Sequence, residues 1–409
     1  MTCSPSSWNS LWRLLLVLFG TTAILSAQPS LAQVWARHDA LVLAPREEAL
    51  DGDQAHSHSF TGKRGNRVHA WDLGLKSAPV VLTWGGGPGD TLQPKRLSGM
   101  FAHPRTYRHI VLDQPGTGAS QWVQGWRPED SVEDAVAFLD QRGIRGPVIV
   151  TGWSWGSTMA LLFAQRHPER VCGVVVGGVW TNTPEEVRSY LDADGARAWM
   201  PGVSEAFRSY SNGHGTACDL HQAIRAGKGG PALPRAYVEA EVMQCGAGGI
   251  PRPVLMQPVP QQEGRPVDMA TETDENVKFA FIESEMLCRG QRGAWRLKLR
   301  FPKTLARIPL VVIQGRYDQV CMPEIARKVY AAWPGSRKLF VPLNSGHWNF
   351  TGPSPESCQR AGLTLTPDQE NRLRCAMELD YGSGCIVEAA IEGLLAPKAS
   401  RATAPVTAR

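Results

Sequence analysis

The stretch PVIVTGWSWGSTMALLFAQRH, residues 147–167, runs from β-branched residues through Gly-Trp-Ser-Trp-Gly into a helix-forming segment. The continuous apolar run PVIV predicts a strand buried on both faces. STMALLFAQRH predicts a helix, so TGWSWG is the turn between them. In a turn this sharp, side chains at Gly152 and Gly156 would collide with the backbone. The same turn lifts the Ser154 hydroxyl above the sheet edge and beside the first amides of a helix, which favour developing negative charge. In a chain with 41 glycines, Gly-x-Ser-x-Gly alone is a weak signal. The strand–turn–helix context is what marks Ser154 as a candidate nucleophile, against the plainer reading of a turn serine.

A serine hydroxyl needs a base, and the base needs an acid to orient it. When the serine stands on such a turn, the acid and then the histidine follow it in the chain, each on a loop after a strand. VVIQGRYDQVC places Asp318 just past a strand, and LFVPLNSGHWNF places His347 just past the next. Of the ten histidines, only His347 lies beyond Asp318. The order predicts a Ser154–Asp318–His347 triad, although a turn histidine and a capping aspartate are the bland alternatives. An oxyanion would be held by the amide after the serine, at Trp155, and by an amide of the glycine loop in VVLTWGGGPGD, at Gly86 or Gly87. The Lys-Ser/Thr pair of a phosphate-binding loop is absent there.

Outward from this centre, the texture predicts a chain in segments. Up to residue 180, strand-like runs (APVVLTW, HIVLDQ, PVIVTGW, VCGVVVGGV) alternate with helical ones, which predicts a mostly parallel sheet flanked by helices. The helix from Ser131 carries Val132, Ala135, Val136 and Leu139 as an apolar stripe. Residues 181–300 predict a helical insertion, opened by Thr183 as a cap with Pro184 at the first helical position. The alternation resumes over 301–396 with IPLVVIQG, PEIARKVYAAWPG, KLFVPLN and a final helix, and 397–409 reads as a disordered tail.

Arg13 followed by the apolar run Leu14–Leu25 and then SLA at 30–32 predicts an export signal over 1–32, with the mature chain starting near Gln33. The run is too short to predict a stable membrane anchor. The eight cysteines beyond it are an even number, which permits disulfides in an oxidising compartment, with their pairing left open. No cysteine or histidine spacing points to a metal. The 43 basic and 38 acidic residues are scattered, so a nucleic-acid partner is excluded. Oligomeric state is not legible.

Taken together, GGGPG, DQPGTGAS, GWSWGS, HPERV, GRYDQVC and SGH resemble the motifs of the proline iminopeptidase (prolyl aminopeptidase) family of α/β-hydrolases. The resemblance spans about residues 60 to 390 and implies an α/β-hydrolase fold with an inserted, mainly helical cap. It also implies a small peptide or aminoacyl substrate and no cofactor. Two positions depart from the family pattern, with Gly85 in place of a histidine and Pro115 in place of an arginine. The family holds the substrate's amino group with cap glutamates, a role the resemblance carries onto Glu283 in AFIESEML and, more loosely, Glu241 in AYVEAEVM. Both read otherwise as solvated helix charges. Met286 and Leu287 replace aromatics there. The sequence thus predicts an exported serine aminopeptidase. The alternatives are an ester or small-amide hydrolase with the same triad, or a non-catalytic binding protein on this fold.

Overall fold

The computed structural model describes residues 55–92, 107–191, 216–246, 264–343 and 345–347. The export signal, the last helix, the tail, and Cys358, Cys375 and Cys385 lie outside the described residues.

Eight strands form one sheet in the order β1-β2-β4-β3-β5-β6-β7-β8. They are β1 (Ala55–Thr61), β2 (Arg67–Leu73), β3 (Val80–Trp84), β4 (Arg108–Leu112), β5 (Val148–Trp153), β6 (Val171–Gly177), β7 (Leu310–Gly315) and β8 (Lys338–Leu343). From β4 to β8 every pairing is parallel, and β2 joins β4 and β1 antiparallel. Every residue of β5 and β7 is buried, which is why both strands read as unbroken apolar runs. Along β5, Val148 and Val150 enter one core while Ile149 enters the core on the opposite face.

Helices α1 (Pro128–Gln141) and α2 (Trp155–Arg166) precede and follow β5. Between β6 and β7 the described residues carry α3 (Pro184–Leu191), α4 (Ala217–Arg225), α5 (Ala232–Gly246) and α6 (Glu275–Gln291), and α7 (Pro323–Ala332) joins β7 to β8. The start of α3 is set as the sequence predicts. Thr183 accepts from the Glu186 amide, and the Glu186 carboxylate accepts from the Thr183 amide, a reciprocal cap. Glu186 itself is fully buried and also accepts from the amide of Thr181, so the exit from β6 is fixed by one carboxylate.

Asn182, at φ 62°, ties that exit to α6. Its amide donates to the carbonyls of Met286 and Trp295, and its oxygen accepts from Trp180 Nε1. Gly290 packs flush against it, for a Cβ there would lie 2.6 Å from Asn182 Oδ1. The sulfurs of Cys218 on α4 and Cys288 on α6 lie 2.08 Å apart.

Candidate active site

Ser154 stands between β5 and α2 with φ 56° and ψ −128°, one of two described non-glycine residues with positive φ. Such a conformation costs about 1–3 kcal/mol and persists only where the surroundings enforce it. Here they do. A Cβ on Gly152 would sit 2.1 Å from the Gly156 oxygen, and one on Gly156 would sit 2.3 Å from the Trp84 oxygen. The Ser154 amide donates to Gly177 O, and Ser157 Oγ donates to Ser154 O. The two glycines are therefore where the elbow, helix α2 and the end of β3 touch.

Asp318 and His347 meet above the same sheet edge. His347 Nδ1 lies 3.0 Å from Asp318 Oδ2 and 3.1 Å from Oδ1, with both residues buried. The carboxylate is held on its other side. Oδ1 accepts from the amides of Val320 (2.9 Å) and Cys321 (2.7 Å), and Oδ2 accepts from Gln314 Nε2 (3.1 Å). A carboxylate that only accepts fixes the proton on His347 Nδ1 and leaves Nε2 free to take one.

Cys321 lies close to both His347 and Ser154. Its thiol approaches Ser154 Oγ at 3.9 Å, and its sulfur, a His347 ring nitrogen and an Asp318 oxygen all lie within 4.8 Å of one another. Burial, and next the Asp318 charge, push the Cys321 thiol well up, so it stays protonated beside the site. The same three groups have the makings of a metal cluster, but the acceptor positions of Asp318 are already spent on amides and the imidazole.

Four positions that the sequence did not single out hold this arrangement. Trp153 Nε1 donates to the His347 carbonyl at 3.2 Å. The Trp153 ring lies where a Cβ on Gly177 would be 1.9 Å away, and a Cβ on Gly178 would come within 3.1 Å of His347 Cε1. Gln314 reaches from β7 to Asp318 on one side and accepts from the Val179 amide on the other. None has a sequence signal, because the Trp153–His347 and Gln314–Val179 contacts join segments far apart in the chain, and the short Gln314–Asp318 contact follows no recognisable spacing. The Gly177–Gly178 pair at the end of a strand is the nearest thing to one.

The glycine loop after β3 abuts the elbow. A Cβ on Gly86 would stand 3.8 Å from Ser154 Cβ, and Gly87 has φ 87°. Trp155, whose amide follows the serine, is anchored by its ring: Nε1 donates to Gln114 Oε1 at 2.8 Å. Trp155, Gly86 and Gly87 thus lie around Ser154.

Helix α6 packs directly on this loop. A Cβ on Gly89 would meet the Phe279 backbone at 3.1 Å and Ile282 Cβ at 3.5 Å. The next residue, Glu283, is buried at 4% exposure, so the solvated-charge reading fails for it. Glu241 on α5 is half-buried and hydrogen-bonded to Glu283. Burial, then the Glu283 carboxylate, and lastly Asp90 hold Glu241 well above the usual carboxylate range. Burial, then the charges of Glu241, Asp318, Glu283 and Asp90, push the Cys245 thiol well up.

The α/β hydrolase fold family matches residues 79–224. Several curated relatives are named proline iminopeptidase. One from Arabidopsis thaliana is 28% identical over 66% of this chain and 68% of its own length. One from Neisseria meningitidis is 27% identical over 74% of this chain and 93% of its own, and one from Xylella fastidiosa is 26% identical over 66% and 84%. The family match falls on β3 through α4 and takes in the serine elbow. With the eight-stranded, mostly parallel sheet and the sharp turn at Ser154, these likenesses make the chain a serine hydrolase of the α/β-hydrolase fold, similar in sequence to the proline iminopeptidases.

Proposed function

We propose that the protein releases N-terminal residues, proline among them, from small peptides through an acyl-enzyme on Ser154. Ser154 Oγ attacks the scissile carbonyl and gives its proton to His347 Nε2. Asp318 stabilises the imidazolium, and the amides of Trp155 and Gly86 or Gly87 receive the oxyanion. The amine product leaves with the proton from His347, and water repeats the sequence on the ester. Helices α3 to α6, within the segment 181–300, act as the cap over this site. The relatives' name supports the reaction. The observation that carries the choice of substrate is the pairing of half-buried Glu241 with buried Glu283. Two carboxyls sharing a hydrogen bond keep a proton between them, and the ammonium of a free N-terminus supplies the charge that proton otherwise provides.

We further infer that the chain is exported and loses residues 1–32. The apolar run at Leu14–Leu25 supports this, as does the pairing of Cys218 with Cys288, for disulfides persist in oxidising compartments.

Glu283→Gln tests the substrate reading. It keeps the shape of the pocket and a hydrogen bond to Glu241 but removes the charge that the ammonium meets. The loss expected is about 1.5–3 kcal/mol, or roughly ten- to a hundredfold in kcat/KM, on an aminoacyl amide with a free amine. A simple ester without the amine should turn over almost as in the parent. Equal losses on both substrates, or none on either, contradict the amino-group role. A parent enzyme that prefers N-acylated amides or esters contradicts the aminopeptidase reading itself.

A further inference from the structure

A second serine, histidine and aspartate stand in hydrogen-bonded sequence at the other end of the sheet. Ser57 Oγ lies 2.9 Å from His69 Nε2, and His69 Nδ1 lies 2.7 Å from Asp113 Oδ2. His69 and Asp113 are buried, at 5% and 4% exposure, whereas Ser57 faces solvent on the edge strand β1. The fold assembles the three residues from separate segments. Ser57 is opposite Trp71 in the β1–β2 pairing, His69 is two residues before Trp71, and Asp113 follows β4, with its amide donating to His69 O. Ser57 lies four strand positions from β5, roughly 19 Å along the sheet, with His69 three positions away on β2 and Asp113 two away at the end of β4. The group shares no residue with the Ser154 site.

Its protonation logic matches that of an activated nucleophile. Asp113 Oδ2 accepts from the Ala119 amide and from His69, and Oδ1 has no hydrogen-bond partner among the described residues. The imidazole is thus the side chain bonded to this buried carboxylate among the described residues. That fixes the proton on Nδ1 and turns the Nε2 lone pair to the Ser57 hydroxyl. The Trp71 ring stands edge-on to His69 at 4.9 Å and gives the serine an apolar neighbour for a small acyl or aryl group.

We propose that Ser57 is a second reactive hydroxyl, a modification site for small activated acyl donors. Ser57 Oγ bonds to the carbonyl carbon of an aryl ester as its proton passes to His69 Nε2. The bond from that carbon to the aryloxide oxygen then breaks, and the aryloxide leaves with the electron pair. The product is an acyl-serine on Ser57.

The test uses the full chain carrying Ser154→Ala, so that the proposed nucleophile is silent, with 4-nitrophenyl acetate as the probe and peptide mapping as the readout. Ser57 should acquire one acetyl group at least a hundredfold faster than Ser59, an exposed serine two residues along the same strand that has no bond to the imidazole. That comparison is internal to one folded protein. His69→Gln, added to the same background, should bring Ser57 down to the Ser59 rate. Acetylation of Ser57 and Ser59 at similar rates, no adduct on Ser57, or an unchanged Ser57 rate in the His69→Gln protein would each overturn the proposal. None of these outcomes bears on Ser154, which is absent throughout.

Discussion

Asp318→Asn is expected to lower kcat about ten-thousandfold while the protein stays folded. The two amides that bond Asp318 Oδ1, from Val320 and Cys321, hold the oxygen of an asparagine in the same place. Its NH2 group then falls where Oδ2 was, facing His347 Nδ1 and Gln314 Nε2. An amide N–H must donate, so Nδ1 has to become the acceptor and the ring proton moves to Nε2. A histidine protonated on Nε2 cannot take the proton of Ser154. Gln314 now meets a second donor, but it keeps its bond to the Cys321 carbonyl at 3.0 Å, so the cost in stability is modest. The measurement is kcat on an aminoacyl arylamide, with circular dichroism to verify folding. A folded Asp318→Asn enzyme within tenfold of the parent would show that Asp318 does not orient the base.

Gly156→Ala is expected to be among the most damaging single methyl additions at the described residues. Its Cβ would stand 2.3 Å from the Trp84 oxygen and 2.9 Å from the Gly85 oxygen, both backbone atoms at the end of the central strand β3. No side-chain rotation relieves that. Either α2 moves off the sheet or the glycine loop moves off the elbow. The expected loss is about 4 kcal/mol or more, which corresponds to a fall in Tm on the order of 10 °C and a poor soluble yield. Any protein that folds should also lose activity, because the displaced loop carries Gly86 and Gly87. Differential scanning calorimetry and kcat decide the matter. A Tm within about 2 °C of the parent would mean the elbow is looser than its contacts imply.

The same contacts explain what could be read in the sequence. The β5–elbow–α2 unit is legible because its constraints are local: an apolar strand, two glycines four residues apart, and a helix, all within one stretch. β7 and β8 are legible for the same reason, and they bring Asp318 and His347 with them. Strands β1 and β2 are not. β1 alternates weakly and is mostly exposed, and β2 buries His69 and Asp72 in the middle of a strand.

Those polar residues break the apolar pattern, and what makes them tolerable lies far along the chain. His69 finds Asp113 and Ser120, and Asp72 is gripped by Arg108 through two bonds of 2.7 and 2.8 Å. Burial alone would raise the Asp72 carboxyl, but Arg108 and Arg142 more than offset it and hold it below its ordinary value. The cap glutamates were reachable only through resemblance. On α6 a buried Glu283 has the same spacing as a solvated one, and its burial depends on the glycine loop that packs over Phe279 and Ile282.

The central claim is that one serine, raised on a strained turn, does the chemistry. A fluorophosphonate probe at equimolar concentration for a few minutes tests it most directly, with the adduct located by mass spectrometry. The account predicts a single adduct on Ser154, which disappears at these short times in Ser154→Ala. It also predicts that labelling slows by about two to four orders of magnitude when His347 is replaced by glutamine. An adduct first appearing on any other serine, or a Ser154→Ala protein labelled as fast as the parent, would contradict it.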